Sequence, residues 1–81
     1  MPHIIVKLYP GRTEEQKKAL TEKIAKAVVE EIGCSDAVVS VSFEEVAKEK
    51  WAKQVYKPDI MDKPGCVYKA PGYKPSEEEF G

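Results

Sequence analysis

Three residues stand out for the chemistry they could do: Pro2 behind the first methionine, Arg12 after an apolar run, and the lone tryptophan, Trp51. A proline at position two is small enough for a processing peptidase to remove Met1. Its nitrogen then becomes a free secondary amine, a group no side chain supplies. An unperturbed α-amino group titrates near ~8. Desolvation among Ile4, Phe43 and Trp51, together with a neighbouring guanidinium, would disfavour the charged amine. Both effects suit a general base working close to neutral pH. The plain alternative is a proline at a strand start, where it lacks only an unneeded N–H. If Met1 stays attached the nitrogen is an amide with no basic lone pair, and the chain is then a non-catalytic, oligomerising module.

Arg12 stands one residue before the expected N-cap of a helix, where a cation opposes the helix dipole. It is either a solvated loop arginine or a carboxylate ligand, acting through a forked, charge-assisted pair beside the helix N-terminus. Trp51 is either core filler or an apolar wall that lowers the dielectric near Pro2 and holds a planar substrate. His3 reads as a strand-edge histidine, and Glu45 and Lys48-Glu49-Lys50 as solvated surface. Cys34 and Cys66 have no Cys-x-x-Cys spacing and the chain holds one histidine, so they read as reduced thiols and no metal site is implied.

The elements that must position these groups follow from periodicity. His3 to Tyr9 alternates Ile4, Val6 and Leu8 against His3, Ile5 and Lys7, which predicts a strand with one apolar face. Pro10-Gly11 turns the chain. Thr13 and Gln16 form a capping box, with Glu14 and Glu15 in the first turn, where the dipole favours them. Leu20, Ile24, Ala27, Val28 and Ile32 then make an apolar stripe, with Lys17, Lys18, Glu22, Lys23 and Glu30 on the wet side. Gly33 is placed to end the helix, which predicts a helix over 14–32, about 28 Å long. Val38 to Glu45 predicts a second strand, with Val39, Val41 and Phe43 on one side and Ser40, Ser42 and Glu44 on the other.

Strand, helix, strand is a β-α-β unit with parallel strands, an α/β class. Parallel sheets are normally covered on both faces and two-stranded sheets are marginal, so the unit calls for a partner and a homo-oligomer is expected. Beyond it, Ala47 to Tyr56 predicts a short helix stopped by Lys57-Pro58, and Asp62-Lys63-Pro64-Gly65 a turn. Cys66-Val67-Tyr68 predicts a short strand and Ala70-Pro71-Gly72-Tyr73 another turn. The expected organisation is a single domain: a 1–46 core, a 47–73 extension and a 74–81 tail that frays.

Eighty-one residues, 42% apolar and 33% charged, fit one small globular domain. Such a chain buries only about 60–65% of its unfolded surface. Thirteen basic against fourteen acidic residues give a net charge of -1, which points to neither nucleic acid nor an anionic membrane. The longest apolar run, Ile4-Ile5-Val6, is far too short to span a bilayer, and no signal-peptide pattern opens the chain. A cytoplasmic protein is expected.

Met1-Pro2 opening a strand, Pro10-Gly11-Arg12-Thr13-Glu14-Glu15-Gln16-Lys17 at the turn into the helix, and Trp51 after the second strand together resemble the 4-oxalocrotonate tautomerase family. The match runs from Pro2 to about Trp51. The resemblance implies small β-α-β chains completed by oligomerisation, with Pro2 as base, Arg12 as carboxylate ligand and Trp51 as aromatic wall. The family's hexameric members carry a second arginine where this chain has Ser40, and a hydroxyl cannot clamp a dianion as a guanidinium does. Pro71-Gly72-Tyr73 and the longer tail resemble the dimeric, phenylenolpyruvate tautomerase-like branch, so a dimer is favoured over a hexamer. What this implies is a cofactor-independent keto–enol tautomerase acting on a small 2-hydroxy-enoate or enolpyruvate with one carboxylate, with Ser40 and Phe43 as further pocket residues. Hydration or dehalogenation of an unsaturated acid is the alternative chemistry.

Overall fold

The computed structural model describes residues 1–81 as two compact units, Met1–Glu45 and Val46–Gly81. In the first unit, β1 (His3–Leu8) leads into α1 (Glu14–Ile32), a 3₁₀ turn at Asp36–Val38 and β2 (Ser40–Glu45). The two strands are parallel and form a two-stranded sheet. The register sets His3 opposite Ser40, Ile4 opposite Val41, Val6 opposite Phe43 and Leu8 opposite Glu45. Strand side chains alternate between faces, so Ile4, Val6, Leu8, Val41 and Phe43 share one. Clefts between that face and α1 are lined by Leu8, Val41 and Phe43, which makes it the face the helix covers. The other face carries His3, Ile5, Lys7, Ser40, Ser42 and Glu44.

The helix begins and ends where its caps dictate. Gln16 N–H donates to Thr13 Oγ1 at 3.1 Å, and Thr13 N–H donates to Gln16 Oε1 at 2.9 Å. At the other end Gly33 takes φ 81°, a left-handed conformation that costs glycine nothing, and its N–H donates to Val29 O at 3.0 Å. The second strand starts later than its apolar pattern predicts. Asp36–Val38 instead close a 3₁₀ turn, with Val39 N–H donating to Asp36 O at 3.1 Å.

No residue from 1 to 45 is fully buried. Leu20 on the apolar stripe of α1 remains 41% exposed, Ile32 66% and Ile5 48%. One layer of helix on two strands does not close a core, as the small size of the unit requires.

The second unit is built from 3₁₀ turns at Lys48–Lys50, Pro64–Cys66 and Glu77–Phe80 around a π-helix, Ala52–Met61. Ala52, Val55 and Pro75 are buried there. The helix predicted over 47–56 was expected to stop at Lys57-Pro58, yet the π-helix starts at Ala52 and runs through Pro58. In an α-helix a proline removes one bond and its ring strikes the carbonyl four residues back. The wider turn relieves that conflict. Asp62 N–H reaches Lys57 O at 2.9 Å, and the Lys57–Asp62 ion pair at 2.9 Å closes the same interval. No strand forms at 66–68, where Tyr68 is wholly exposed. Where a frayed tail is expected, Ser76 and Glu79 form a capping box that starts the Glu77–Phe80 turn.

Candidate active site

Pro2 is half-buried at the mouth of β1, and its carbonyl accepts the Ser40 N–H at 3.2 Å. Met1 is 99% exposed and so open to a peptidase. Next to Pro2, His3 Nδ1 pairs with Ser40 Oγ at 2.6 Å, and its Nε2 with Ser42 Oγ at 3.3 Å. Both ring nitrogens are therefore engaged by hydroxyls from β2. Ser40 thus belongs with Pro2 and His3, at one end of the sheet.

Arg12 belongs to the other end. Gly11 makes the turn beyond β1 at φ 118°, a backbone region that side-chain-bearing residues rarely adopt. Arg12 follows it, exposed, directly before the Thr13 cap. It lines a cavity of about 150 Å³ together with Leu8, Gln16, Lys17, Leu20 and Phe43. Phe43, paired with Val6 and half-buried, gives this cavity an aromatic side. The helical spacing puts Lys17 on the wet face. It is instead drawn toward the sheet, 3.3 Å from Glu45 and 3.6 Å from Glu14. The Lys17 charge is thus balanced by two glutamates, and Arg12 is the cation that this small, partly apolar cavity at a helix N-terminus sets toward a carboxylate. Of the helix's own first-turn donors, the Gln16 N–H is already taken by Thr13.

Within a single chain the two clusters do not meet. Six steps of about 3.3 Å put Leu8 roughly 20 Å beyond Pro2 along β1, and Arg12 lies past Leu8. Within one chain, then, Arg12 is not a neighbour of Pro2. Trp51 lies in the second unit, half-buried, and its Nε1–H donates to the Tyr73 hydroxyl at 2.8 Å.

A family model described as a tautomerase enzyme matches residues 2–56. The chain belongs to the tautomerase family. A probable tautomerase of Xylella fastidiosa is 40% identical over 73 residues, which are 90% of this tautomerase and 89% of that protein. A 2-hydroxymuconate tautomerase of Bacillus subtilis is 44% identical over 52 residues, 64% of this chain and 84% of the other. Among solved structures, YwhB, a homologue of 4-oxalocrotonate tautomerase, is 44% identical with a TM-score of 0.58, over 59% of this chain and 79% of that one. The β-α-β fold is that of the 4-oxalocrotonate tautomerase family, and the tautomerase is an enzyme of the isomerase class.

Proposed function

We propose that this tautomerase interconverts the enol and keto forms of a small 2-hydroxy-enoate or enolpyruvate bearing one carboxylate, without a cofactor. Once Met1 is removed, the neutral Pro2 nitrogen takes the enol O–H proton. The oxygen's electrons re-form the carbonyl and the C=C pair moves to the remote carbon. That carbon then takes the proton from the prolinium, which restores the base. Arg12 holds the substrate carboxylate and the neighbouring oxygen, where negative charge grows in the transition state. Phe43 excludes water, and Ser40 offers a neutral hydroxyl where a dianion would need a cation.

One observation carries this reading: Pro2 and Arg12 stand at the two ends of the same edge strand. Pairing two copies antiparallel along their β1 edges would set the start of one strand against the end of the other. Pro2 of one copy then faces Arg12 of the second, twice over by symmetry. Pairing on the β2 edges would leave the β1 strands three spacings apart, about 14 Å. The β1 dimer also extends the sheet to four strands and pairs the backbone groups of the β1 edge. A homodimer is thus the smallest complete enzyme, and similarity that runs through 90% of the chain is consistent with the second unit being part of it.

The test begins with intact mass, which must show loss of one methionine. Pro2→Ala should keep the fold and lower turnover by about 10²- to 10⁴-fold, the usual worth of a positioned acid–base group. Activity should climb with pH along a single limb as the amine loses its proton. A Pro2→Ala variant as active as the parent on phenylenolpyruvate and 2-hydroxymuconate would rule out this mechanism.

A further inference from the structure

The cavity that Arg12 lines has a second cation in its wall. Lys17 lies one helical turn past Thr13, to whose carbonyl its N–H donates at 3.1 Å, and its side chain is only 16% exposed. The ammonium stands 3.3 Å from Glu45 and 3.6 Å from Glu14. These two partners are not equal. Glu14 is 81% exposed, so water screens its charge, whereas Glu45 is 39% exposed. Glu45 ends β2 directly opposite Leu8, and Leu8 lines the same cavity. A carboxylate of the chain's own therefore stands at the edge of a cavity suited to a carboxylate from outside. Arg12 itself takes no part in an ion pair.

A tethered anion competes at high effective concentration with one that must diffuse in. Left without Lys17, Glu45 would be a rival for the Arg12 guanidinium. Its negative potential would also repel an incoming anion where the two groups do not touch. Both effects weaken carboxylate binding. We propose that Lys17 is a positioning residue for the carboxylate site: by holding Glu45 it keeps Arg12 open to the substrate. The proposal rests on Arg12 being the substrate's carboxylate ligand. The competition acts before any proton moves, so it falls on binding and spares the chemical step. Its mark is a raised KM with kcat held.

Lys17→Met keeps the apolar stem and removes only the charge. Its KM for the monocarboxylate phenylenolpyruvate should rise about three- to tenfold, the effect of one partly screened charge, with kcat constant. Raising the ionic strength should narrow the gap to the parent. Lys17→Arg, which can still hold Glu45, should keep the parental KM. The deciding variant combines Lys17→Met with Glu45→Gln. A neutral amide does not compete for a guanidinium, so the parental KM should return. A role for Lys17 in packing alone gives no such recovery. An unchanged KM in Lys17→Met overturns the proposal, and so does a KM that stays raised in the double variant. Arg12→Ala separates it from the underlying reading. If Arg12→Ala raises KM while Lys17→Met does not, only Lys17 is wrongly assigned. If Arg12→Ala itself keeps the parental KM, Arg12 is no carboxylate ligand and both readings fall together.

Discussion

On the proposed mechanism, Arg12 is the residue whose neighbourhood most constrains the substrate. Its cavity, about 150 Å³, has room for a carboxylate and little more. Replacing Arg12 with Ala should lower kcat/KM by about 10- to 100-fold, the worth of a desolvated charge-assisted pair. Lysine should restore only part of this, because an ammonium lacks the planar fork. Steady-state kinetics on a monocarboxylate enol decides it, and equal rates for the parent and Arg12→Ala would remove Arg12 from the site. At Ser40 the opposite gain is expected. Ser40→Arg should raise kcat/KM on the dicarboxylate 2-hydroxymuconate relative to phenylenolpyruvate, at the cost of the short contact between Ser40 and His3. The Thr13–Gln16 box was legible in the sequence because it depends on near neighbours alone. The role of Lys17 was not, since its partner Glu45 arrives from the far end of the sheet. His3 shows the same limit: residue type gave an edge histidine, and only strand register revealed that two serines hold both its nitrogens.

At the level of elements, the helix that presents Arg12 is fixed by its ends more than by its middle. Its apolar stripe is half open to solvent, so capping supplies an unusually large share of its local stability. Thr13→Ala removes the acceptor for the Gln16 N–H and should cost about 1 kcal/mol. Gly33→Ala forces a side chain into the left-handed region and should cost a similar ~1 kcal/mol. Both would be read as urea midpoints at one protein concentration, and a Gly33→Ala protein as stable as the parent would contradict the observed φ of 81°. The caps follow from local rules, which is why the predicted bounds of α1 coincide with the observed Glu14–Ile32. Pro58 defeated the same kind of rule. A proline stops a helix when bonds run from each N–H to the fourth residue back. Here the Asp62 N–H reaches five residues back to Lys57, an option that residue preference does not encode. The absent strand at 66–68 has a similar origin. Three β-favouring residues need an edge to pair with, and only tertiary structure could have supplied one.

At the scale of the molecule, the separation of Pro2 from Arg12 makes a prediction that no single-chain site shares. Suppose each site takes Pro2 from one copy and Arg12 from the other. Pro2→Ala and Arg12→Ala homodimers are then defective at both sites. A heterodimer of the two places both lesions in one site and leaves the second site wholly intact. Random reassociation of equal amounts makes half the dimers mixed, so the mixture should recover about one quarter of parental activity. Sites contained in one chain would recover nothing, since every chain then carries its own lesion. The experiment needs subunits that exchange, and the open β1 edge and half-exposed apolar stripe indicate how to reach that state. A unit with no buried residue among its first 45 should depend on association for its fold, so its melting temperature should rise with protein concentration. Dilution or mild urea followed by return to native buffer would then exchange partners. Recovery near one quarter after exchange, with none when the two variants are mixed without it, would place each active site across the two-fold axis.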